Sequence, residues 1–105
     1  MFARSRGQQI ADLIQDRLRT LRELPYSELL TLGADAGEDL VIDGREAGIA
    51  VFVERQSNGA VRVVVQGMVE GFFPFIRWGG ADGFYKLPGG SVTSMTREEL
   101  LACQP

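Results

Sequence analysis

Histidine is absent from this 105-residue chain, and cysteine occurs once, at Cys103. The first absence removes the commonest general base, the Ser-His and Cys-His nucleophile pairs and the most frequent transition-metal ligand. The second excludes an intrachain disulfide and leaves a tetrahedral zinc site without its usual ligands. Long apolar runs are lacking too. The longest, Ile49–Val53, has five residues, whereas a membrane-spanning helix needs roughly 20. Gln8, Gln9 and Asp12 interrupt any apolar core that a signal peptide would place behind Arg4 and Arg6. These absences lead us to expect a cytoplasmic protein with no membrane contact.

Two further motifs are missing. Thirteen glycines are present, yet none forms a phosphate cradle. Gly79-Gly80-Ala81-Asp82-Gly83 lacks both the GxGxxG spacing and the Lys-Ser/Thr of a P-loop, and is expected to be a turn-forming loop. Asp35, Glu38, Asp39 and Asp43 crowd one stretch without matching the spacing of a calcium-binding loop, so they read as a solvated acidic segment. Glu70 and Asp82 flank an aromatic stretch, but paired-carboxylate chemistry needs a defined separation that no sequence supplies. The chain therefore reads as non-enzymatic, with no catalytic residues, no cofactor and no metal.

What is present suffices for a folded core. The hydrophobic fraction is 45%, the charged fraction 24% and the net charge −3. That acidity disfavours bulk attraction to nucleic acid or anionic membrane. The length fits one domain, 1–105, able to bury a core without staples.

The most telling pattern runs from Gly48 to Met68, two strands joined at Ser57-Asn58-Gly59. A two-residue Asn-Gly turn would set Arg55 opposite Arg62, which like-charge repulsion disfavours. A three-residue loop instead pairs Glu54 with Arg62, Val53 with Val63 and Val51 with Val65. Ile49, Val51, Val53, Val61, Val63 and Val65 then share one face. Ala50, Phe52, Glu54, Arg62, Val64 and Gln66 share the other. A one-residue slip would scramble both faces, so the alternation selects the register. Gly59 is expected in the left-handed position of a type I turn with a G1 bulge.

Upstream, Ile10, Leu13, Ile14, Leu18 and Leu21 recur at helical spacing and predict an amphipathic helix over 8–23. Pro25 ends it or starts another, and a short helix through Ser27–Leu30 is expected to stop at Gly33, making 8–32 helical. Residues 1–7 are expected to be a mobile polar arm. Ala34–Gly37 reads as a loop. Leu40–Ile42 reads as a strand that turns at Asp43-Gly44, with Ile42 opposite Arg45 and Leu40 opposite Ala47. Phe72–Trp78 is a candidate strand with Pro74 marking an edge. Phe84–Leu87 is a further short strand, ended by Pro88-Gly89-Gly90. Thr96-Arg97-Glu98-Glu99 is a capping box that starts a helix to Ala102. The fold class is α+β: an N-terminal amphipathic helix on one face of an antiparallel meander of about four strands (38–92), then a short C-terminal helix (96–102).

Six of the nine aromatic residues, Phe72, Phe73, Phe75, Trp78, Phe84 and Tyr85, fall within 14 positions. Either they cover the second face of the sheet near Phe52 and Val64, or they form a contact surface together with Arg77. Gly71-Phe72-Phe73-Pro74-Phe75-Ile76 resembles the aromatic nucleic-acid motif of cold-shock domains, and Val51-Phe52-Val53 resembles their second motif. Their order is reversed, Pro74 replaces a small flexible residue, cations are sparse and a long helix precedes the sheet. The resemblance would imply single-strand binding through stacked bases, which normally needs a positive groove. The expected function is a protein–protein interaction module contacting another protein or a second copy of itself through Phe72, Phe73, Phe75, Arg77, Trp78, Phe84 and Tyr85. The alternative is a small-molecule sensor with Arg77 or Lys86 as an anion anchor.

Overall fold

The computed structural model describes residues 6–32, 35–42, 44–70 and 77–103. Helix α1 (Arg6–Glu23) and the single-turn-and-a-half helix α2 (Tyr26–Thr31) precede five strands, β1 (Asp35–Ile42), β2 (Arg45–Arg55), β3 (Val61–Glu70), β4 (Arg77–Lys86) and β5 (Val92–Ser94), and helix α3 (Arg97–Cys103) follows. The strands form one antiparallel sheet in the order β1-β2-β3-β4-β5. The α+β class and the meander are as the sequence predicts, with β5 as a fifth strand. No helix among the described residues is long and apolar enough to cross a membrane.

The β2–β3 register is the one the alternation selects. Glu54 lies opposite Arg62, Val53 opposite Val63 and Val51 opposite Val65. Arg62 Nη2 donates to Glu54 Oε2 at 2.6 Å across the pair. At the turn, Gln56 N donates to Ala60 O at 2.7 Å and Gly59 N to Gln56 O at 3.0 Å. With Gly59 at φ +89°, this is the three-residue loop. The same device closes β4 onto β5, where Leu87 N donates to Ser91 O and Gly90 N to Leu87 O and Gly90 takes φ +99°. Between β1 and β2, Ile42 faces Arg45 and Leu40 faces Ala47, again as expected. Gly44 has φ +75° there; Asp43 lies outside the described residues.

One face of this sheet carries the core. Ile10, Ile14 and Leu18 of α1 pack with Leu29 of α2 onto Ile49, Val53, Val61, Val63, Val65, Val69 and Phe84. Each fully buried aliphatic side chain contributes roughly 1.5–3 kcal/mol of transfer free energy. The helix approaches closely because the strands beneath it carry glycine: a Cβ on Gly67 would lie 2.7 Å from Ile10 Cγ1. Polar groups fix its middle and its C-terminal end. Gln15 Nε2 donates to Asp82 Oδ2 at 2.8 Å. Lys86, buried on β4, donates from Nζ to Arg22 O at 2.8 Å and Leu24 O at 2.5 Å. Those carbonyls lie at the helix C-terminus, where they lack intrahelical partners and where positive charge is favoured.

The structure corrects three expectations. Residues 79–83 are not a loop; they are the centre of β4, paired with Val64–Met68. Their small side chains, which weaken a strand signal, are what the packing requires: a Cβ on Gly83 would collide with Val63 O and lie 2.8 Å from Met95 Sδ. Residues 35–37 are not loop either, since Asp35, Ala36 and Gly37 pair with Phe52, Val51 and Ala50. Arg6 and Gly7 belong to α1, while residues 1–5 of the expected mobile arm lie outside the described residues. Of the strand expected over 72–78, residues 72–76 lie outside the described residues, and Arg77 and Trp78 are strand.

Candidate interaction surface

Strand alternation leaves the second face of the sheet to be covered by something other than α1. Three of the rows that cross it matter here. Asp39, Gly48, Met68 and Gly79 form one, and Gly37, Ala50, Gln66 and Ala81 the next. Phe52, Val64 and Gly83 form the third. At this third row the face is closed, because Met95 packs against Gly83 beside Val64 and Met95 N donates to Gly83 O at 3.1 Å. Val64 and Met95 are buried as a result.

Helix α3 is held over that end by a small polar network. Thr96 N donates to Glu99 Oε1 at 2.9 Å and Glu99 N to Thr96 Oγ1 at 3.2 Å, completing the capping box. Tyr85 Oη donates to Glu99 Oε2 at 2.7 Å. The Thr96 backbone amide, followed by the Tyr85 hydroxyl, holds the Glu99 carboxyl below its ordinary range, since donors to a carboxylate favour its charged form.

Beyond Val64 no described element covers the face. A groove of about 830 Å³ runs over Gly37, Gly48, Ala50, Gln66, Met68 and Gly79. A second depression of about 560 Å³ continues from it over Asp39, Val41, Glu46 and Met68. Large apolar side chains are exposed on this face: Met68 (46%) and Val41 (72%) line the hollows, and Phe52 (39%) lies in the row beside Val64. The charged residues lining them are Glu38, Asp39 and Glu46, all acidic. Glu38 is paired with Arg17 of α1. Asp39 has no partner among the described residues. Among the described residues no three His, Cys, Asp or Glu side chains gather to hold a metal ion.

The residues singled out from the sequence are scattered. Phe84 is in the core, 0% exposed, with the Arg22 guanidinium 5.6 Å from its ring centroid; it offers no contact area while the sheet is folded. Tyr85 is half-buried on the opposite face, bonded to Glu99. Arg77 and Trp78 open β4 opposite Glu70 and Val69. Phe72, Phe73 and Phe75 lie outside the described residues, as does the rest of the cold-shock-like segment, 71–76. Lys86, the other candidate anion anchor, donates to the Arg22 and Leu24 carbonyls at the end of α1. The exposed residues Val41, Phe52 and Met68 were missing from the predicted surface. Their signal was the alternation itself, which sets Phe52 on the face away from the valines.

No family model matches the chain, and neither the curated proteins nor the solved structures contain a significant match to it.

Proposed function

We propose that this chain is a non-catalytic protein–protein interaction module of the reducing cytoplasm, acting through the open face of its sheet. The observation that carries the reading is the asymmetry of cover. One face is closed by α1, whereas among the described residues the other is closed at the Val64–Met95 end and leaves Phe52 exposed, with Val41 and Met68 exposed at the hollows. A sheet face normally buries its apolar side chains against another layer, and such contiguous exposed patches mark contact sites. The predicted surface thereby moves from Phe84 and Tyr85 to the outer part of the sheet. Binding of a small anion finds less support, because Lys86 is engaged within the fold and the groove is lined by carboxylates.

The test places a photo-crosslinking amino acid at Met68, at Phe52 and, as control, at Thr31 on α2. Covalent adducts to a polypeptide from the first two positions, and none from the third, are expected. Equal yields from all three, or adducts from Thr31 alone, would refute the assignment of this face.

A further inference from the structure

Strand β1 is the outermost strand of the sheet and pairs on one side only, with β2. Along its eight residues the outward-facing backbone groups have no strand partner among the described residues. An unpaired edge of this length is a template for another strand. Its side chains decide which. On the open face β1 presents Gly37, Asp39 and Val41, and next to them β2 presents Ala50, Gly48 and Glu46. Asp39 and Glu46 are both exposed. Gly37 and Gly48 leave room above the sheet, and this space is the start of the groove.

We propose that β1 accepts an extended, cationic segment of another polypeptide as a sixth strand. The backbone ladder would supply the pairing, and alternate side chains would lie over the open face. A Lys or Arg would stand opposite Asp39, with its neighbours on that face meeting Val41 and the space above Gly37. Opposite charges facing each other across strands are favourable, and like charges are not. The same rule argues against a second copy of this chain at the edge. Two β1 strands paired antiparallel about a two-fold axis near their midpoint would set Asp39 against Asp39 or Glu38 against Glu38, since opposed residues share a face. The acidic edge thus guards against self-pairing while leaving a basic strand welcome. This inference rests on the reading of the sheet as an interaction module and adds the edge and the chemistry of the partner.

The test titrates the full chain, labelled with ¹⁵N, with a capped peptide alternating Lys and Val. A second peptide of the same sequence has alternate backbone amides N-methylated. Binding of the first should slow hydrogen exchange of alternate β1 amides and shift resonances of Gly37–Val41 and Gly48–Ala50. N-methylation should abolish that protection. Asp39→Lys should weaken binding by about tenfold, as expected when a favourable cross-strand pair becomes a repulsive one. It should also admit a Glu/Val peptide that the unsubstituted chain rejects. Asp39→Asn serves as the milder variant and should fall between the two. Equal binding of the N-methylated peptide, protection away from β1, no binding, or indifference to both substitutions would each overturn the proposal. Adducts from Met68 alongside such a failure would overturn the edge and leave the interaction module standing.

Discussion

Adding a single methyl group at Gly67 tests whether the distance between α1 and the sheet is set by the absence of a side chain there. The Cβ of Gly67→Ala would lie 2.7 Å from Ile10 Cγ1, 3.0 Å from Ile14 Cδ1 and 3.1 Å from Ile10 Cδ1. Carbon atoms rest at about 3.5–4.0 Å, so about 1 Å must be found. Ile10 is buried and β-branched, with little χ1 freedom in a helix. Either it leaves its rotamer or α1 lifts from β3 and β4. Overpacking of this kind costs about 1–3 kcal/mol. Without the clash, Gly→Ala would stabilise by about 0.4–1 kcal/mol through the unfolded chain, so the sign alone is informative. Ile10→Ala removes both clashing Ile10 atoms and by itself costs about 2–5 kcal/mol. The double substitution should cost less than the sum of the two, by about 1–2 kcal/mol, because the new methyl occupies part of the space vacated. Urea unfolding followed by far-UV circular dichroism at 25 °C, with m-values compared, gives all three numbers. A neutral or stabilising Gly67→Ala, or single effects that add within about 0.5 kcal/mol, would refute the close-approach argument.

Three other outcomes follow from the same geometry. Lys86→Met should destabilise by about 1.5–3 kcal/mol, because it removes charge-assisted bonds to Arg22 O and Leu24 O at the α1 C-terminus; unchanged urea midpoints would show that water replaces the ammonium there. Gly59→Ala should cost about 1–2 kcal/mol from strain at φ +89°, read as a lowered thermal midpoint, whereas Gly89→Ala, at a position with no neighbour within 4 Å and no positive φ, should hold or slightly raise that midpoint. Glu99 has a folded-state pKa below its ordinary 4.5, so its hold on α3 is fully present above the unfolded value and is lost as pH falls through the depressed one. NMR titration of the Glu99 side-chain carboxyl should give a midpoint below 4.5, and Glu99→Gln or Tyr85→Phe should speed exchange of the Leu100 amide, whose carbonyl partner is Thr96, without altering that of Val63.

Much of the sheet was legible because strand alternation has a period of two. Once Glu54 was set against Arg62, every valine between residues 49 and 65 had its face, and the turn at Gly59 followed. The helix of Ile10, Ile14 and Leu18 was legible for the equivalent reason, and Thr96 with Glu99 carries its own local bonds. The open face was half legible: Phe52 could be assigned to it, but not the exposure of Met68.

What the sequence by itself determined is therefore the content of local period and local capping: α1, the β2–β3 register, the β1–β2 turn and the start of α3. Only the tertiary structure decided the rest. Gly79–Gly83 is a strand because β3 pairs with it and because α1 and Met95 need the space, conditions that come from chain segments distant in sequence. Phe84 is core and Tyr85 is not because their faces are set by Val63 and Arg62 across the ladder. Lys86 caps a helix 62 residues earlier, a role fixed by where α1 ends over β4, which no window of sequence around Lys86 contains.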